Sequence, residues 1–199
     1  MNKLLFIIGM RRSGTSILRK LILKNPEVDW IDFEPQELLL ATDIININRY
    51  KNNEYFNKVI QRYKQENNRY IGCKLALNPG IMAMRWKCLY REFPKAKFIF
   101  ITRNWYDSYQ SWLSVDMDNI RGVCNYKMYK DWAKKIKDSF RVFCNENSNS
   151  ILIKYEFLLN NADNEMSKIW KLLKILKIEN LQKLIKIPEY ILGKKIGLR

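Results

Sequence analysis

Apolar residues in this chain fall into short unbroken runs, separated by stretches where they recur every three to four positions. Leu4 to Ile8 is one such run, closed by Gly9, and reads as a parallel strand buried on both faces. Ile17, Leu18, Leu21 and Ile22 then return at helical spacing until the breaker KNPEV. VDWI (28–31) predicts a second strand and RYIGCKL (69–75) a third, with a polar helical stretch over 36–69 between them. PGIMAMRWKCLYREF (79–93) predicts a helix with Pro79 near its start and Pro94 closing it. AKFIFIT (96–102) is the strongest strand signal, and WYDSYQSWL (105–113) continues as a helix. A basic helix over 126–144, a strand SILIKY (150–155) and an amphipathic helix ADNEMSKIWKLLKIL (162–176) follow. This alternation predicts an α/β fold with a central, mostly parallel sheet flanked by helices. No repeat or low-complexity linker interrupts it, so residues 1–199 are expected to form a single domain.

Charge changes this picture more than composition does. A formal net charge of +16 points to an anionic partner, or else to a lysine-rich composition with no dedicated patch. The chain has four cysteines without a C-x-x-C pair and no histidine, so common zinc patterns are missing and no metal is expected. Free thiols in a reducing compartment follow, with the cytoplasm as the expected location. The apolar run after Lys3 is too short for a transmembrane segment and reads better as a buried strand. Signatures of nucleic-acid binding are not evident, and no nucleic-acid partner is expected.

The candidate chemistry starts at LLFIIGMRRSGTS (4–16). Gly9, four intervening residues and Gly14-Thr15-Ser16 give the spacing of a phosphate loop, G-x-x-x-x-G-K-[ST], with Thr15 where lysine should stand. Strand, glycine turn and helix N-terminus form an anion cradle whatever the side chains. The expected architecture is therefore a P-loop-like three-layer fold. Arg11 and Arg12 would have to supply the cation. KFIFIT ends in Arg103, and no strand-end aspartate for magnesium is evident.

Arg12-Ser13-Gly14-Thr15-Ser16 resembles the 5′-phosphosulfate-binding loop, [KR]-S-G-T-[TS], of sulfotransferases that use 3′-phosphoadenosine 5′-phosphosulfate (PAPS). ITRNWYDSYQSW resembles the 3′-phosphate signature of the same superfamily, R-[ND]-P-x-D-x-x-x-S, with Arg103, Asn104, Asp107 and Ser111 at the expected offsets and Trp105 replacing the usual proline. An arginine at a strand end can fork two donors to a phosphate, and a serine two helical turns on adds a hydroxyl. Wider stretches of residues 4–178 look like tyrosylprotein sulfotransferases and related bacterial carboxylate-base enzymes. That resemblance implies PAPS as the donor without a metal, a lysine after the third strand at Lys74, and a tyrosine near the adenine at Tyr155. It implies cofactor binding by Arg11, Arg12, Ser13, Gly14, Thr15, Ser16, Arg103, Ser111 and Tyr155, with Arg12 and Lys74 stabilising the departing phosphate.

Transfer to a hydroxyl needs a base, and a chain without histidine leaves a carboxylate. Glu34 in DFEP is the candidate and Asp32 the alternative; Glu34 and Glu37 would otherwise simply favour a helix N-terminus. The expected partner is a hydroxyl-bearing acceptor. An anionic glycan is preferred on the basic charge, with protein tyrosine and small molecules as alternatives. The competing reading is an ATP-dependent kinase with a degenerate phosphate loop. Trp86, Tyr90, Trp112, Trp170 and Leu173 are expected in the core, and the basic helix around Lys127 to Arg141 on a solvated face.

Overall fold

The structure, a computed structural model, describes residues 3–30, 69–79, 86–114 and 125–185. Five strands, β1 (Lys3–Met10), β2 (Val28–Trp30), β3 (Tyr70–Leu77), β4 (Lys97–Thr102) and β5 (Ser150–Lys154), form one sheet in the order β2-β3-β1-β4-β5. Every pairing is parallel, with Ile7 facing Lys74 on one side and Ile99 on the other. β1 is buried from Leu4 to Met10, which explains its uninterrupted apolar run: helices cover both faces and neither can be polar.

One face carries α2 (Trp86–Glu92), α3 (Trp105–Leu113) and α4 (Tyr126–Glu146). Its core is aromatic: Trp86 meets Phe100 edge-on at 4.9 Å, and Phe100 lies 4.3 Å from Phe140. The other face carries α1 (Thr15–Ile22), α5 (Tyr155–Asn160) and α6 (Ala162–Leu173), which bury Leu18, Leu21, Ile22, Leu158, Ile169 and Trp170. A short 3₁₀ turn, Leu181–Leu184, packs beside α6. The expected three-layer α/β architecture is the observed one. Trp86, Trp112, Trp170 and Leu173 are core residues, as their spacing predicts.

Two element ends differ in ways that matter from the sequence reading. β3 runs on to Leu77 because Ala76 and Leu77 continue the buried run. The last strand stops at Lys154, and Tyr155 opens α5 instead of closing the strand. No glycine or proline marks that change, so the switch from one backbone state to the other is invisible locally. The start of the helix expected over 79–93 and the polar stretch expected over 36–69 lie almost wholly outside the described residues; α2 is described from Trp86.

The strand order fixes where a ligand can sit. From β1 the chain turns through α1 toward β2, whereas from β4 it turns through α3 and α4 toward β5. The loops after β1 and β4 therefore diverge, which opens a crevice at the carboxyl ends of these adjacent strands.

Candidate anion-binding site

Residues 11–14 lie between β1 and α1, one edge of that crevice. Arg12 and Gly14 both adopt left-handed backbone, with φ of 65° and 100°. For arginine this conformation is uncommon and strained. The turn is held by Arg11 N–H donating to the Leu77 carbonyl (2.9 Å) and Ser13 N–H donating to the Met10 carbonyl (3.1 Å). Gly14 is the N-cap of α1 and supplies no side-chain cap, so the amides of the first turn point forward into the crevice. A β-carbon on Gly14 would fall 2.3 Å from the Tyr155 ring. Glycine is required there twice over, by φ and by space.

Arg103 follows β4 at the opposite edge. Its Nη1 donates to the Arg12 carbonyl (3.2 Å), and its guanidinium lies 4.7 Å from the centre of the Tyr155 ring. Arg12 Nε donates to Ser111 Oγ on α3 at 3.1 Å. Both arginines, Ser111 and Tyr155 border one cleft of about 790 Å³. The two motifs, remote in sequence, thus share a wall.

α3 begins at Trp105, where the related signature carries proline. This is the first position inside the helix, where the N–H that proline lacks has no helical partner in any case, so tryptophan in its place leaves the helical hydrogen bonds unchanged. Asn104 caps the helix instead, its Oδ1 accepting from Tyr106 N–H (2.9 Å), while Glu156 Oε1 accepts the Asn104 N–H at 2.6 Å. Glu156 was not singled out from the sequence, because an acid in the first turn of a short helix carries no local sign of a distant partner. Asp107, Gln110, Ser111 and Ser114 form the face of α3 that borders the cleft, together with Glu156.

The remaining predicted residues are placed as follows. Lys74 lies inside β3, not after it, and its Nζ donates to Ser16 Oγ at 3.2 Å. It therefore joins the start of α1 from the side of β3. Ser13 is 1% exposed, its hydroxyl has no hydrogen-bond partner, and it is not among the residues bordering the 790 Å³ cleft. Thr15 is buried and Ser16 exposed. Tyr155 is 4% exposed, so little of its ring is open to a stacking base. Glu34 and Asp32 lie outside the described residues.

Among the described residues no three His, Cys, Asp or Glu side chains come together as a metal site. No helix there is long and apolar enough to cross a membrane. Cys73 is a free thiol in the core, and burial pushes it up to about 12.

A parallel α/β sheet with an arginine-bearing glycine loop at its switch point and a second arginine across it defines a P-loop-like α/β protein. The profile of the Sulfotransferase family matches residues 5–177. The chain belongs to that family. Solved structures share its fold at low identity. A mouse sulfotransferase, SULT7A1, complexed with PAP is 15% identical with a TM-score of 0.60, over 92% of this chain and 61% of its own. A sulfotransferase from Alicyclobacillus acidocaldarius is also 15% identical at 0.60, over 94% of this chain and 87% of its own. The sulfotransferase domain of the curacin biosynthetic pathway is 17% identical at 0.56, over 90% and 76%. The chain thus spans less than two thirds of the mouse protein's length. No curated protein sequence matches it.

Proposed function

We propose that the protein transfers a sulfuryl group from PAPS to a hydroxyl, preferably of a carbohydrate. The observation that carries this reading is the meeting of Arg12, Arg103 and Ser111 across the crevice, beside an α1 N-terminus without a side-chain cap. The donor set fits PAPS: Arg12, Arg103, Ser111 and the uncapped start of α1 gather around one crevice, where a ligand with a 5′- and a 3′-phosphate finds cations, a hydroxyl and amides. When bound, PAPS supplies a sulfuryl group joined to a phosphate that can leave.

The chain's own residues then divide the work. The amides of Gly14, Thr15 and Ser16, with the α1 dipole, hold the 5′-phosphate. Arg103 and Ser111 hold the 3′-phosphate. Arg12 and Lys74 neutralise the charge that grows on the leaving side. Tyr155 acts mainly as a wall that fixes Arg103 and Gly14. Glu34, or Asp32 in its place, takes the acceptor's proton, as in the carboxylate-base tyrosylprotein enzymes that the sequence resembles.

The test is calorimetric titration with 3′-phosphoadenosine 5′-phosphate, beside ATP with and without magnesium. Micromolar, magnesium-independent binding of the bisphosphate, lost in Arg103→Ala, is expected. Binding of ATP–magnesium alone would put the kinase reading in its place.

A further inference from the structure

α3 has two faces, and the structure places an open space against each. Asp107, Gln110, Ser111 and Ser114, at helical spacing, border the cleft described above. Trp105 and Ser108, on the other side, border a second cavity of about 390 Å³ between α3 and α4. That volume is at the small end of the range for ligand pockets. Its walls include Met10, Ile101, Trp105, Ile136 and Phe140. Such a surface favours an apolar body.

The rim is basic. Lys130, Lys134 and Lys137 recur at i, i+4 and i+7 along α4 and all border the cavity, against a single acid, Asp131. Lys130 is held over the Trp105 ring at 5.2 Å. The helix expected on a solvated face, or as a guide for an acidic acceptor, thus turns one stripe of lysines toward an apolar hollow.

We propose that this cavity is a binding site for an amphiphilic anion, with a short apolar tail between α3 and α4 and one acidic head group at the lysine rim. The site goes beyond sulfuryl transfer and does not rest on it, although Arg103 borders both this cavity and the cleft. Tail burial supplies most of the affinity, and the lysines select the charged head over a neutral one.

Isothermal titration of the whole chain with decanoate, and with decanol as the neutral counterpart, tests this. Decanoate is expected to bind one-to-one with a Kd below about 100 μM, and decanol at least about tenfold more weakly. Ala133→Trp, which fills the cavity from α4, should weaken decanoate at least tenfold. Lys134→Glu with Lys137→Glu should do the same and changes only the rim, so the test stays decisive should Ala133→Trp upset the packing. Lys171→Ala on α6, across the sheet, should bind as the wild type does, which separates the site from general attraction to a basic protein. Unsaturable uptake, equal affinity for decanol, or decanoate binding unchanged by the rim variants would each overturn the proposal.

Discussion

Arg12 Nε lies 3.1 Å from Ser111 Oγ, although the two residues are 99 positions apart in sequence. The bond ties the loop after β1 to the helix after β4, and so closes the divergent ends of the crevice over one another. It also fixes what Arg12 offers: Nε is engaged with serine, while the terminal nitrogens remain to meet an anion. Lysine carries its donors on a single nitrogen and cannot spread them in the planar fork with which arginine spans the two partners. Arg12→Ala is expected to lower turnover by about 10²–10³, as for loss of a comparable electrostatic donor. Arg12→Lys should recover only part of this, and Ser111→Ala should show coupling with Arg12→Ala in a double-mutant cycle on bisphosphate affinity. Strict additivity of the two would mean that the contact has no part in binding.

Gly14 is the position where the loop tolerates least change. An added β-carbon meets the Tyr155 ring at 2.3 Å with φ at 100°, and the ring is itself packed in the core. Gly14→Ala should destabilise the protein by about 1–3 kcal/mol. Chemical denaturation should show the lower midpoint with an unchanged slope. A paired Gly14→Ala/Tyr155→Leu variant should regain part of the loss, because the clash is removed while the strained φ persists.

Glu156 holds the second motif in place. Its carboxylate accepts the Asn104 N–H at 2.6 Å, directly beside Arg103. Glu156→Ala hands that exposed amide to water and should cost about 0.5–1.5 kcal/mol of stability. Glu156→Gln retains an acceptor oxygen and should cost less. If the two variants melt together, the bond contributes nothing to holding the loop.

The sequence makes the frame legible and hides its cross-links. β1 and β4 are plain because strands buried on both faces must be continuously apolar, and both anion motifs sit where such strands end. α5 escapes because YEFLLN follows β5 without a breaker. Its Glu156 escapes with it, because its partner is brought near only by the parallel pairing of β4 and β5. Ser13 is placed otherwise than a side-chain ligand would be: inside a phosphate-loop pattern, beside the left-handed turn at Arg12, its side chain is buried. Lys74 lies inside β3, as the strand read over 69–75 already implies, whereas the resemblance sets it just after that strand.

The proposed base gives a kinetic prediction that does not depend on its placement. Glu34→Gln should lower transfer by about 10²–10⁴ while leaving affinity for the bisphosphate unchanged, because a base acts on the acceptor. Asp32→Asn should be nearly silent. The reverse pattern would assign the base to Asp32, and near-normal turnover in both would remove a carboxylate at this position from the mechanism.

Cys73 predicts how stability changes at alkaline pH. In the folded protein burial raises its thiol from an ordinary value of 9.0 to about 12, and burial together with Glu27 raises Tyr70 in the same direction. The native state therefore keeps protons that the unfolded chain releases. Stability from this source is complete below the unfolded thiol value and falls as pH rises from there toward the folded one. Between pH 8 and 10 the thiol should account for about 1 kcal/mol of lost stability. Cys73→Val removes the titrating group at similar size, and its unfolding free energy should fall less over that interval. Equal slopes for wild type and variant would show that the buried thiol ionises as readily folded as unfolded. The same burial should keep Cys73 unreactive toward maleimide at pH 8 until the protein is denatured, because the thiolate is the reacting species.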